Sequence, residues 1–195
     1  MALHAGRHPF GTDRGRIVLR TFRDGLAAQA GHDLTIEVTR WSGELTVADD
    51  LSPSELTVRI DMSSLEVRTG TGGLKPLTGR DRREIAVTAR KVLGADRHPA
   101  ASFTASGFEP GSAGGGAVRG TLTLAGAQRP LRMQVSENGT GAYHATATVL
   151  QSEFGITPYA AFLGALRVRD AVDIEIDVSL DADPADAGQA PGAQP

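Results

Sequence analysis

Apolar and polar residues alternate along most of the chain, most clearly near its C-terminal end. In DAVDIEIDVSLD (170–181), Val172, Ile174, Ile176, Val178 and Leu180 fall on one face of an extended chain. Asp173, Glu175, Asp177, Ser179 and Asp181 fall on the other. Successive side chains of a strand point to opposite sides, so this pattern predicts a half-buried β-strand. The same period of two recurs in RIVLRTF (16–22), LTIEVTRW (34–41), GELTVA (43–48) and ELTVRIDM (55–62). It returns in ASFTASGF (101–108), AVRGTLTL (117–124), PLRMQVS (130–136) and YHATATVL (143–150). Gly43 suits a bend or bulge, so 34–41 and 43–48 form either a hairpin or one long bent strand. The connectors DDLSPS, EPGSAGGG, AGAQ and ENGTG have turn compositions. Asn138-Gly139-Thr140 has the form of a glycosylation sequon, but Asn-Gly also supplies a tight turn, which is the reading adopted.

One segment departs from this period. TGRDRREIAVTARKVL (78–93) places Ile85, Ala89, Val92 and Leu93 at helical spacing. Thr78 suits an N-cap, Asp81 follows three residues later, and Arg90 and Lys91 sit near the C-terminal end. The helix should stop by Gly94 and lie on a surface or plug an end of the sheet.

Roughly eight antiparallel strands with one inserted helix leave two architectures, a sandwich or a closed barrel. The inward set is mainly Leu, Val, Ile, Ala and Thr, and aromatic residues make up 5% of the chain with a single Trp. Such a lining would leave an apolar hollow in a barrel unless complementary packing fills it. The first 14 residues and the segment after Leu180 hold little to bury. The expected organisation is a flexible N-terminus (1–14), one β-barrel domain (15–181) and a disordered tail (182–195).

The 195 residues suffice for one domain with a core, and the net charge of −3 is interspersed rather than gathered into the basic stripe of a nucleic-acid binder. With no cysteine, disulfides, thiolate metal sites and cysteine nucleophiles are excluded. The opening MALHAGRHPFGTDRGR lacks an apolar leader and no apolar run is long enough to span a bilayer, so a soluble, cytoplasmic protein is expected.

Candidate chemistry is sparse. His32-Asp33 is the most suggestive pair, since a carboxylate orients an imidazole for base work. Adjacent strand residues point apart, however, so His32 is expected to serve as a polar rim residue. His4, His8, His98 and His144 show no zinc spacing, and no metal or other cofactor is expected. GTGGLKPLTGR lacks the Gly-Lys-Ser/Thr close of a phosphate loop, and there is no Gly-x-Ser-x-Gly elbow.

Several segments, in order, resemble the YceI-like family, also called polyisoprenoid-binding proteins. They are GHDLTIEVTRWSGEL (31–45), SELTVRIDMSSLEV (54–67), HPAASFTAS (98–106), RGTLTLAGAQRPLRMQV (119–135), SEFGITP (152–158) and VRDAVDIEIDV (168–178). The resemblance implies an all-β fold, an eight-stranded antiparallel lipocalin-like β-barrel, with a hydrophobic lipid of polyprenyl or quinone type inside. Under that reading, strand alternation gives a ligand-binding lining of Leu19, Ile36, Val38, Val58, Ile60, Phe103, Leu122, Leu124, Val149, Val172, Ile174 and Ile176. The apolar connection FGITPYAAFLGALRV (154–168) would cover the mouth, adding Phe154, Phe162 and Leu163. Many members of the family are exported, whereas this chain begins without a leader. RTGTGGLKPLTGRDRREIAV also carries more Arg than a smooth apolar portal needs.

The function this resemblance implies is non-enzymatic binding, sequestration or transport of a long-chain isoprenoid or other amphiphilic lipid in the barrel interior, and two rival readings stand beside this carrier. One is an enzyme using His32 on a hydrophobic substrate, which lacks an identified nucleophile. The other is a filled barrel serving as a stress-response or protein-interaction module. Either barrel reading accommodates a homodimer, and none calls for nucleic acid or a membrane-spanning segment.

Overall fold

The structure, a computed structural model, describes residues 4–111, 115–138 and 141–180. The chain runs through β1 (Gly6–Gly11), β2 (Gly15–Thr21), β3 (Arg23–Asp24), β4 (His32–Val38), β5 (Trp41–Val47), β6 (Pro53–Asp61) and β7 (Leu65–Gly72). Helix α1 (Gly79–Val92) follows, then β8 (Ala100–Pro110), β9 (Gly116–Leu124), β10 (Ala127–Glu137) and β11 (Ala142–Leu150). β12 (Ala160–Ala161), β13 (Leu166–Val168) and β14 (Ala171–Ser179) complete it. The fold is all-β with one helix, a curled antiparallel sheet.

The sheet has eleven strands in the order β1-β5-β6-β8-β9-β10-β11-β14-β2-β4-β7, which replaces the expected count of eight. The difference lies partly in two bent strands. β4 leads into β5 across Thr39 and Arg40, and β6 leads into β7 across Met62–Ser64. β5 pairs with β6, and β4 pairs with β7. Residues 32–72 are therefore one long bent ribbon, its halves joined to different parts of the ladder. Of the two arrangements expected for 34–48, the bent strand is the one formed. Gly43 is not its bend. A side chain there would collide with the ring of Phe10, so the glycine makes room for an aromatic from β1.

One further expectation is corrected. The N-terminal segment is not loose throughout, because Gly6–Gly11 pairs along β5 from Gly6 with Val47 to Gly11 with Ser42. β7 continues past Val67 to Gly72, where the glycines and threonines of RTGTG hide the strand period. The 154–168 connection is also structured, since β12, β13 and β3 form a small separate sheet. The expected Asn138-Gly139 turn, much of the EPGSAGGG connector and the 182–195 tail involve residues outside those described.

Helix α1 forms where expected. Thr78 Oγ1 accepts from the Asp81 backbone N–H, and the Asp81 carboxylate accepts from the Thr78 N–H, a reciprocal capping box. At the other end Gly94 adopts φ +64°, the left-handed conformation that lets the chain turn away from the helix. Ala86 is buried, and Ile85, Ala89 and Val92 pack on the sheet core. The helix lies against β7, covering an edge that would otherwise expose unpaired backbone groups.

Thr78→Ala removes the cap oxygen while leaving the packed face intact. The expected loss is about 1 kcal/mol, read from the midpoint of urea unfolding with an unchanged slope.

Candidate functional site

Register aligns the apolar positions into rows. Ile174 on β14 pairs with Leu19 on β2, Leu19 with Ile36 on β4, and Ile36 with Val67 on β7. The next inward row is Ile176, Ile17, Val38 and Leu65. On the other side of the curl, Val58 pairs with Phe103 and Phe103 with Leu122. Small residues lie among them: Ala147 pairs with Ile174, and Ala105 pairs with Gly120. A side chain at Gly120 would stand 2.6 Å from Phe103 Cζ, so the glycine lets that ring lie across the strand.

Of the expected lining, Ile36, Val38, Val58, Phe103, Leu122, Val149 and Phe154 are buried in one contiguous apolar cluster. Leu19, Ile60, Leu124, Ile174 and Ile176 pack against the cluster but stay half-buried. Val172 pairs with Val149 yet lies outside the cluster. Phe162 and Leu163 do not join the lining either. They stand in solvent at 68% and 109% exposure, turned outward by a short helical turn at Phe162–Gly164. Phe154 and Ile156, from the start of the same connection, are the residues that turn inward.

Several inward residues escaped the sequence reading. Ile17, at 1% exposure, shares the period of Leu19 and was accessible to the same argument. Leu34, Val67 and Met133 likewise belong to the apolar cluster or pack on it. Trp41 and Phe10 meet edge to face, with ring centres 5.9 Å apart. Trp41 follows the bend at 39–40, where counting in twos from Val38 fails. Its indole N–H is buried with no acceptor among the described residues.

His32 and Asp33 are not a dyad. His32 Nε2 lies 2.8 Å from the Lys75 carbonyl oxygen, which only accepts, so this nitrogen carries the proton. Asp33 Oδ1 accepts from the Arg23 backbone N–H at 2.9 Å. Each side chain ties its own strand to a neighbouring connection. An open cleft of about 400 Å³ lies elsewhere, bounded by Arg14, Gly15, Tyr143, Asp177 and Ser179, and shares no residue with the expected lining.

The outward positions carry the charge. Arg20 grips Glu175 with two hydrogen bonds of 2.6 and 2.9 Å, Arg68 Nε donates to Glu37 at 2.8 Å, and His144 Nδ1 lies 2.7 Å from Asp177 Oδ1. The Arg20 hydrogen bonds hold the Glu175 carboxyl below its ordinary value of 4.5. The arrangement separates an aliphatic face from a charged one and brings no nucleophile, base and acid together among the residues singled out from the sequence.

A family model for the YceI-like domain matches residues 22–180. The chain belongs to the YceI-like family. This YceI-like chain resembles the solved structure of BcnA from Burkholderia cenocepacia at 15% identity and a TM-score of 0.56, covering 86% of this chain and 96% of BcnA. The YceI protein of Campylobacter jejuni gives 16% identity and a TM-score of 0.57, over 76% of this chain and 84% of that one. A polyisoprenoid binding domain from Saccharophagus degradans, implicated in plant cell wall breakdown, gives 12% and 0.53, over 90% of this chain and 99% of that one. At such identities the likeness is one of fold. No curated protein matches the YceI-like chain in sequence.

A carboxyl whose pKa is depressed on folding stabilises the fold above its unfolded pKa, and that contribution disappears as pH falls through the folded value. Glu175→Gln should therefore flatten the decline of stability below about pH 4.5, as followed by urea unfolding at stepped pH. Both partners are partly exposed, so the change at neutral pH should stay within about 1 kcal/mol.

Proposed function

We propose that this chain is a non-enzymatic carrier that holds a prenyl lipid, of polyprenyl or quinone type, against the concave face of the sheet. The observation that carries this reading is a set of half-buried aliphatics, drawn from six strands, at the margin of the apolar cluster. Leu19, Leu34, Ile60, Leu124, Leu131 and Ile174 all pack on the core cluster, yet the chain does not fully cover them. Large aliphatics left half-covered beside an apolar core invite an apolar guest. Family membership and the likeness to a polyisoprenoid binding domain support the same class of ligand.

Burial supplies about 0.8 kcal/mol per methylene, and ordering a flexible tail offsets much of it. Such a site gains affinity with tail length and discriminates little between head groups. The engaged positions of His32 and Asp33 favour binding over catalysis.

Trp41 is the single tryptophan and belongs to the same cluster, so it reports on the interior. A short-tailed prenyl quinone should quench its emission saturably, and lipid extracts of freshly purified protein should contain a prenyl compound. Ile174→Asp, which puts a charge on the lining, should weaken quenching about tenfold or more. Ile174→Val, which keeps the face apolar, should bind almost as the parent does. Absence of both saturable quenching and co-purifying lipid defeats the carrier reading.

A further inference from the structure

Four large apolar side chains protrude at one end of the sheet: Leu26 at 100% exposure, Leu74 at 79%, Phe162 at 68% and Leu163 at 109%. Values near or above 100% mean that the surrounding surface gives no cover. Phe162 and Leu163 also take φ of +50° and +56°, a left-handed conformation that costs an L-residue energy. Strained backbone thus holds two greasy side chains in water.

The three connections bearing these residues are neighbours. The Ala27 N–H donates to the Ala165 carbonyl at 2.8 Å. The Leu166 side chain fills the space beside Gly31. The Arg23 guanidinium lies against Gly72, the His32 ring lies against Gly73, and His32 Nε2 donates to the Lys75 carbonyl.

Charge gathers beside them. Residues 68–83, next to these tips, hold five Lys and Arg against one Asp, in a chain whose net charge is −3. Lys75 and Arg83 have no carboxylate partner among the described residues. Arg80, Arg82 and Arg83 open α1, at the positive end of its dipole, where cations are disfavoured. The one acidic group in that turn, Asp81, is taken up by the capping box.

We propose that this end of the molecule docks on an anionic lipid bilayer, with the apolar tips entering the interface and the basic 68–83 segment facing the head groups. Protruding side chains on separate connections suit a deformable interface. A stable protein partner would need about 800 Å² of matched surface on each side, more than four isolated tips offer. Basic residues beside exposed Leu and Phe are the combination that anionic membrane surfaces attract. The docking would give the carrier of the preceding section access to membrane lipid, and it rests on that reading only for its purpose.

Co-sedimentation with phosphatidylcholine vesicles, with or without 30% phosphatidylglycerol and free of any prenyl compound, tests it. The protein should bind the anionic vesicles at least about tenfold more tightly, and added salt should weaken the binding. Leu74→Ser combined with Leu163→Ser, and separately Lys75→Glu combined with Arg83→Glu, should each reduce binding about tenfold with unchanged circular dichroism. Leu51→Ser, on the exposed turn between β5 and β6 at the far end of the bent ribbon, should have no effect. Equal binding to both vesicles, no binding, or undiminished binding by both double variants overturns the proposal. So does a concentration-dependent dimer abolished by the Leu74 and Leu163 substitutions. If the protein docks but fails to quench with a prenyl quinone, docking stands and the carrier reading falls.

Discussion

Strand register is the constraint on which the rest of this molecule depends. A strand has a period of two, so a slip of one residue would exchange its aliphatic and charged faces. Ile174, Leu19, Ile36 and Val67 form one row only because four strands hold a common register. The row between them is Glu175, Val18 and Glu37 followed by Glu66, which could not be buried together without partners. Outside, Arg20 and Arg68 pair with these carboxylates in water, where such bridges contribute little to stability but penalise the wrong face turning in. The apolar interior and the charged exterior are two results of one pairing pattern.

A long curled sheet must also deal with its edges. Here the 32–72 ribbon does much of this, because its two halves belong to different parts of the ladder. β1 extends one side by pairing with β5, and α1 lies on β7 at the other. Phe10 reaches from β1 over Gly43 to the edge of Trp41, adding aromatic bulk to a lining otherwise built from aliphatics. Polar groups with catalytic potential are spent on ties: His32 anchors the Lys75 connection, and Asp33 anchors Arg23.

Much of the sheet was legible because alternation is local. Every long run of Val, Ile, Leu and Thr at a period of two became a strand, and Thr78 with Asp81 marked the start of the helix. What failed was information carried by distant residues. Gly6–Gly11 has no apolar run of its own and becomes a strand only because β5 offers a partner. RTGTG shows no alternation of apolar and polar residues, yet β4 recruits it. Inward positions were legible within each strand, as for Leu19 and Ile174, but were lost across the 39–40 bend before Trp41. Phe162 and Leu163 show the limit of the burial argument: apolar residues are inside by tendency, and composition does not reveal when backbone geometry turns them out.

The pairing of β2 with β14 spans almost the whole molecule in sequence, with Arg20 facing Asp173 and Ile17 facing Ile176. A ribosome making this chain releases β2 early and β14 last among the strands. Until β14 emerges, one flank of β2 has no neighbour, and the aliphatic rows cannot be completed however long the nascent segment waits. Contacts of such separation also slow the search for the native state. Closure of these rows thus waits on the emergence of β14, and the half-made sheet is the form most in need of a chaperone's shelter.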